Sequence, residues 1–244
     1  MDDPNKRYYA YNSHTIDSSS VDSFFSRFNH ENNYDDGNIK LALGNVIYIE
    51  DGILNSIWRI VGFDIEHNQQ AADGTVYDNG YGIMLIPYDY LFNAKYSSET
   101  GYVNGAYLKS YANSRCTTIG NNLTNLLGSH LVNRNVLLSS SIDTSTGIAN
   151  GYTWTNAKVT LPSVKQFAVS LADASTNFDY GEANYKLPLY NYNIYWCSKN
   201  TWCRNIHYYN AGSTYVYSIN SSGLINSTLA TSDSPVYRPL IYIR

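Results

Sequence analysis

Charge is scarce in this chain. Only 15% of its 244 residues are Asp, Glu, Lys or Arg, against about a quarter in ordinary globular domains. The net charge is −4 and no basic stripe or Arg-rich run interrupts the sequence, so the electrostatic footprint of a nucleic-acid binder is missing. No apolar run reaches the roughly 18 residues that a membrane span needs. The opening MDDPNKRYYAYNSH is polar and lacks the apolar core of a secretory signal. Cysteine is down to three residues, Cys116, Cys197 and Cys203. The odd number argues against a disulfide scaffold. The spacing of Cys197 and Cys203 fits neither a zinc C-x2-C pair nor a redox C-x-x-C, and leaves open whether they pair. The signatures G-x-S-x-G, H-E-x-x-H and G-x-x-x-x-G-K-[ST] are absent. The five histidines, at 14, 30, 67, 130 and 207, lie far apart in sequence. The chain is therefore expected to be no enzyme and to hold no metal and no cofactor.

What fills the place of charge is tyrosine, 25 residues of it, together with asparagine. An AT-rich codon bias accounts for part of this, but lysine, which the same bias favours, is scarce. The concentration peaks after Leu187, in LPLYNYNIYWCSKNTWCRNIHYYNAG. Tyr and Trp give large, stiff contact area at low entropic cost, and Asn and Ser give adaptable hydrogen bonds; that combination suits a recognition surface. The candidate ligand contacts are Tyr190, Tyr192, Asn193, Asn200, Trp202, Asn205, His207, Tyr208, Tyr209 and Asn210. They would stack on a sugar or protein surface and read hydroxyls or backbone with their amides. The competing reading makes several of this region core: Trp196 sits inside IYWC, and Tyr215 and Tyr217 alternate in a strand.

The length fits one large domain, or a domain with an extension. Residues 1–38 hold few aliphatic side chains. Their one amphipathic stretch, VDSFFSRF, sets Val21, Phe24, Phe25 and Phe28 on one helical face. This segment reads either as an N-terminal arm, docking on a neighbour or on the main domain through Phe24, Phe25 and Phe28, or as a flexible leader. The main domain spans residues 39–244. KLALGNVIYIEDG, SIWRIVGFDIEHN and GYGIMLIPYDYL predict three antiparallel strands, the third central. AYLKSYANS and NNLTNLLGSHLVN predict two helices, the second capped by Asn121 or Asn122. NVLLSSSID predicts a strand, 144–155 an exposed loop, and VTLPSVKQFAVSLAD a strand then a helix with Pro162 near its first turn. Residues 174–186 read as a polar loop, followed by short strands around IYWC, TYVYSI and RPLIYIR. Segregated rather than alternating elements make the fold α+β.

These pieces, taken in order, resemble the C-type-lectin-like domains of bacterial and phage proteins. That superfamily includes the sulfatase-modifying factors and the variable proteins of diversity-generating retroelements. SIWRIVGFD resembles the opening Trp-containing strand of the family. AYLKSYANS with LLGSHL resembles its helices, VTLPSVKQF its strand-then-helix, YWC its YWLR, and SPVYRPLIYI its closing GVRPAL-x-L; the match covers about 44–244. Cys197-Ser198 departs from the family's Arg-Ser, and Pro235-Val236-Tyr237 replaces its Gly. The calcium-dependent sugar signatures are missing, and Asp233 is the only acid after Glu182. The resemblance implies a C-type-lectin-like fold of short antiparallel sheets, two to three helices and long loops. It also implies a ligand surface built from the last third of the chain and open to retroelement-directed variation. The expectation is a phage virion protein for host attachment or receptor binding, on tail or capsid. Its partners would be a bacterial surface glycan or protein, other virion proteins through the arm, and further copies of itself in a homo-oligomer. Alternatives are a structural decoration protein and a bacterial surface adhesin. A formylglycine-generating-type oxidase is more distant, because the spacing of Cys197 and Cys203 is one residue longer than in that family.

Overall fold

The computed structural model describes residues 2–8, 12–50, 56–71, 73–97, 107–143, 149–167, 187–192, 197–210 and 213–244. For 191–192, 207–210 and 213 it describes the backbone alone. In chain order the elements are β1 (Ser13–Ile16), α1 (Val21–Arg27), β2 (Val46–Ile49), β3 (Ser56–Phe63), β4 (Gln69–Gln70), β5 (Val76–Tyr77) and β6 (Ile83–Pro87). There follow α2 (Tyr111–Leu127), β7 (Arg134–Ile142), β8 (Ala149–Ala157), β9 (Val159–Thr160) and α3 (Val164–Phe167). The last four are β10 (Thr201–Asn210), β11 (Ser213–Ile219), β12 (Ile225–Leu229) and β13 (Leu240–Ile243). The architecture is α+β. A six-stranded sheet in the order β1-β2-β3-β6-β13-β9 accompanies a three-stranded sheet β10-β11-β12 and the hairpins β4-β5 and β7-β8. Among the described residues every pairing between these strands is antiparallel except β1 with β2. Among the described residues no helix is long and apolar enough to cross a membrane.

The three apolar runs form β2, β3 and β6 as expected, antiparallel, with β6 internal. Alternation is weak because the sheet is covered on both faces over most of its length. In β3 only Ile57 is exposed, and Trp58, Ile60, Val61 and Phe63 are all buried.

Residues 1–38 do not stand apart. Ser13 to Ile16 pair in parallel with Val46 to Ile49, making this segment the edge of the main sheet. Asn5 exchanges two 2.9 Å hydrogen bonds with the backbone of Phe63. Phe24, Phe25 and Phe28, expected to dock on a neighbour or on the main domain, are buried in the chain's own core, and Phe25 stacks on His130 at 4.1 Å. Burying each such ring contributes about 1.5–3 kcal/mol, far more than a free leader can recover. A parallel partner requires a long crossover, and the crossover from β1 to β2 is what carries α1 and its phenylalanines onto the core.

The two expected helices between residues 107 and 133 are one. After a 3-10 turn at Tyr107–Lys109, α2 runs 17 residues. Ser110 is its cap, its Oγ accepting from Asn113 N at 3.1 Å, rather than Asn121 or Asn122. Ala112, Cys116, Ile119, Gly120, Leu123 and Leu127 form one buried stripe. Gly120 does not break it, because a side chain there would press on Val159 at 3.2 Å; close packing against β9 uses the glycine. Most of the stretch expected as a loop at 144–155 is strand: β8 pairs along β7 from Ala149, while 144–148 and 174–186 lie outside the described residues.

One buried ion pair ties these parts together. Arg134 is 0% and Glu66 2% exposed, and Arg134 Nη1 donates to Glu66 Oε1 at 2.8 Å. Arg134 Nη2 donates to Thr160 Oγ1 at 2.8 Å, and Asn79 Nδ2 to Glu66 Oε2 at 2.9 Å. Asn79 Oδ1 accepts from Asn135 N at 2.6 Å. The network thus joins the turn after β3, the turn before β6, β7 and β9.

Breaking a buried pair strands the remaining charge, at a cost of about 3–5 kcal/mol. Glu66→Gln is therefore expected to lose that much stability in chemical denaturation, whereas the double replacement Glu66→Leu with Arg134→Met recovers most of it. Equal stability of Glu66→Gln and the parent would contradict this role.

His14 supplies a pH-dependent contribution. Its ring packs edge-on between Phe24 and Phe28, and its Nε2 is buried without a hydrogen-bond partner among the described residues. Burial first, and the charge of Arg27 second, hold its pKa below the ordinary 6.5. The unfolded chain therefore takes up the proton first, so His14 lends stability above about pH 6.5 that is lost as pH falls toward the folded value. Unfolding measured against pH should show this loss in the parent and a flatter profile in His14→Gln; parallel profiles would contradict it.

Candidate functional site

Two surfaces concern function. The first is the sheet β10-β11-β12, where the sequence places its ligand contacts. Residues 201–206 of β10 are all buried, and the ladder to β11 shifts register between Trp202 and Ile206 and again before Tyr208. Trp202 is fully buried, its Nε1 donating to Ala94 O at 2.9 Å and its ring lying 5.7 Å from Tyr96. Asn205 is buried, and its Oδ1 accepts from Val164 N at 3.0 Å, where it satisfies the first turn of α3. Tyr190 is buried edge-on against Phe167 at 5.0 Å, and the adjoining cavity of about 10 Å³ holds at most one water. These three serve packing, not a ligand, because composition marks an aromatic or amide without marking which side of the strand it leaves.

Asn200 is half-buried, with its carbonyl accepting from Val236 N at 2.8 Å. Asn193 and Trp196 lie outside the described residues, and Tyr192 ends the 3-10 turn Pro188–Tyr192. His207, Tyr208, Tyr209 and Asn210 run along β10, with Tyr208 opposite Tyr215, Tyr209 opposite Thr214 and Asn210 opposite Ser213. On β11, Val216 and Ser218 are buried whereas Tyr215 and Tyr217 are only partly so. Their cross-strand partners on β12 are Leu229 and Ser227, both half-exposed. Tyr215 and Tyr217, read from the sequence as alternating strand residues that could be core, are thus partly accessible, and Tyr217 also packs against the core.

The second surface is a cleft of about 470 Å³, within the 300–1,000 Å³ typical of small-ligand sites. The turn after α1 supplies Phe28, Asn29, His30, Glu31 and Tyr34; the turn before β6 supplies Gly80, Tyr81 and Gly82; Arg244 completes it. Asp64, just past β3, organises the wall. Its Oδ2 accepts from His30 Nδ1 at 2.7 Å, and its Oδ1 accepts from Gly82 N at 2.9 Å and from Tyr34 OH. Burial and the Asp64 carboxylate push the Tyr34 phenol far above its usual range, so it stays a donor. The Tyr81 ring is sandwiched between His30 at 3.5 Å and His67 at 4.0 Å. Tyr34 and Asp64 both hold positive φ, 56° and 57°. For a tyrosine this is a strained conformation, of the kind that concentrates at ligand sites. The sequence reading missed this cleft: its residues come from three distant stretches, and only the isolated Gly80-Tyr81-Gly82 hints at a tight turn.

The three cysteines are buried and in no disulfide. Burial pushes the Cys116 thiol up to about 12, and Cys197 Sγ accepts from Thr201 Oγ1 at 3.3 Å. Among the described residues no three His, Cys, Asp or Glu side chains converge as a metal set. Compared with protein-family models, with curated proteins and with solved structures, the chain matches none.

Thiolate character and access govern labelling, so a disulfide-exchange reagent should modify none of the three cysteines in the native protein and all three after denaturation. Rapid native labelling of Cys197 would overturn this and favour thiol chemistry.

Proposed function

We propose that this chain is a recognition protein of lectin-like architecture, acting in a phage particle to bind a bacterial surface glycan or protein. The observation that carries the reading is the pair of partly accessible tyrosines on β11 of the β10-β11-β12 sheet. Tyr215 and Tyr217 stand half-exposed there beside Ser227 and Leu229, with Tyr208 opposite Tyr215 in register. Large rigid rings next to hydroxyls suit stacking on a sugar or an aromatic-tolerant protein surface. The resemblance of SIWRIVGFD, VTLPSVKQF and SPVYRPLIYI to lectin-like domains points the same way. Domains of that kind use the last third of the chain as the ligand surface, and here β10 to β12 build a sheet of their own.

The reading requires no catalytic group. It also differs from the sequence expectation in one respect. Attachment to a particle does not run through Phe24, Phe25 and Phe28, which the chain's own core occupies. A homo-oligomer would multiply weak sites, raising apparent affinity by about 10²–10⁴.

The test is binding of the labelled full chain to a panel of bacterial cells and their purified surface polysaccharides, beside Tyr217→Ala and Tyr215→Ala. Selective binding is expected, weakened at least about tenfold by either change. Binding to no cell type, or binding indifferent to both changes, would reject this face as the ligand surface.

A further inference from the structure

The cleft beside β6 shares no lining residue with the β10-β11-β12 sheet, and its chemistry stands independently of the function proposed for that sheet. Its floor is aromatic, with Phe28 2% and Tyr34 1% exposed. Over that floor stand three polar groups whose bonding capacity the protein leaves open.

The first is Arg244. Its guanidinium makes one long hydrogen bond, Nη1 to Asn79 O at 3.4 Å, and is in no ion pair among the described residues. It lies directly over Gly80, where a Cβ would sit 2.5 Å from Nη1 and where φ is +77°. Only glycine allows both the turn and this placement. The second is His30. Asp64 is acceptor-only as a carboxylate, so the Nδ1 bonded to it carries the proton. In the neutral ring Nε2 is then an acceptor, and no described residue donates to it. The third is Glu31, exposed and without an ion pair or side-chain hydrogen bond among the described residues.

Arg244 is the one permanent cation in the lining and Glu31 the one acid. A guanidinium fork matches a carboxylate in two parallel bonds. Glu31 and His30 Nε2 accept hydroxyl protons, and the aromatic floor takes the apolar face of a ring. A dianion such as a phosphate group meets a single cation and an opposing carboxylate, a poor balance. We infer that this cleft binds a carboxylate-bearing sugar, such as a uronic or nonulosonic acid residue of a glycan, with Arg244 on the carboxylate and His30 and Glu31 on the hydroxyls.

The experiment is titration of the full chain, by calorimetry or ligand-observed NMR, with glucuronate and N-acetylneuraminate. Glucose and inorganic phosphate serve as comparators. At least one acidic sugar is expected to bind saturably and at least about tenfold more tightly than glucose or phosphate. Arg244→Gln, which removes an exposed side chain with one weak internal bond, should abolish that preference while unfolding at the parent temperature. Gly80→Ala should do the same by displacing the guanidinium, and Tyr217→Ala should leave it intact. No saturable binding of either acid overturns the inference. So does equal binding of glucose, tighter binding of phosphate, or an Arg244→Gln variant that keeps the preference.

Discussion

The buried pair of Glu66 and Arg134 is the constraint on which the rest is hung. Two charges taken out of water demand close geometry and hydrogen-bond partners, and Thr160 and Asn79 supply one each, to Arg134 Nη2 and Glu66 Oε2. Because Arg134 opens β7, Thr160 ends β9 and Glu66 follows β3, satisfying the pair fixes the hairpin and the α2 layer against the main sheet. The same network reaches the surface. Asn79 receives its position from Glu66 and Asn135, and its carbonyl accepts from Arg244. The turn that carries Gly80, Tyr81 and Gly82 into the cleft is thus anchored from inside the protein. A low overall charge does not mean that charge is idle; among the described residues Arg7, Arg59, Glu66, Arg134, Arg204 and Arg238 are buried.

What the sequence made legible follows physical signal strength. β2, β3, β6 and β13 were visible because a strand buried on both faces writes a continuous apolar run. α2 was visible as helix, but Gly120, Asn121 and Asn122 look like a break to any local rule. The helix continues because Gly120 packs on Val159, a contact 39 residues away. β8 was invisible: of its residues only Ala149 is buried, so no hydrophobic period marks it, and its strand character comes from pairing with β7. β1 was hidden likewise, since Ile16 alone of its four residues is buried. The N-terminal segment looked detachable because its core contribution is aromatic rather than aliphatic.

The site was less legible than the fold. Composition marks a Tyr- and Asn-rich region but cannot assign a side to each residue. Trp202 and Asn205 turn inward to Ala94 and Val164, and Tyr217 is partly accessible. The cleft was unreadable for a different reason. Asp64, the residue that orders it, looks like any turn aspartate until His30, Tyr34 and Gly82 are brought to it from both directions along the chain. The two surfaces are built differently. One is a three-stranded sheet with two partly accessible tyrosines, and the other is a concave site ordered by a carboxylate and glycines.

The position of β13 reaches beyond the finished structure. This strand pairs with β6 on one side and β9 on the other, yet it is drawn from residues 240–243. While the polypeptide is still emerging from the ribosome, β6 has an open apolar edge and β9 has no strand beside it among the described residues. Synthesis proceeds at about 5–20 residues per second, so that edge is exposed for seconds in every chain made. Such an edge invites pairing with a neighbouring nascent chain. The molecule therefore completes its main sheet only once Leu240–Ile243 has been made, and its yield in a cell depends on how well the unfinished sheet is shielded until then.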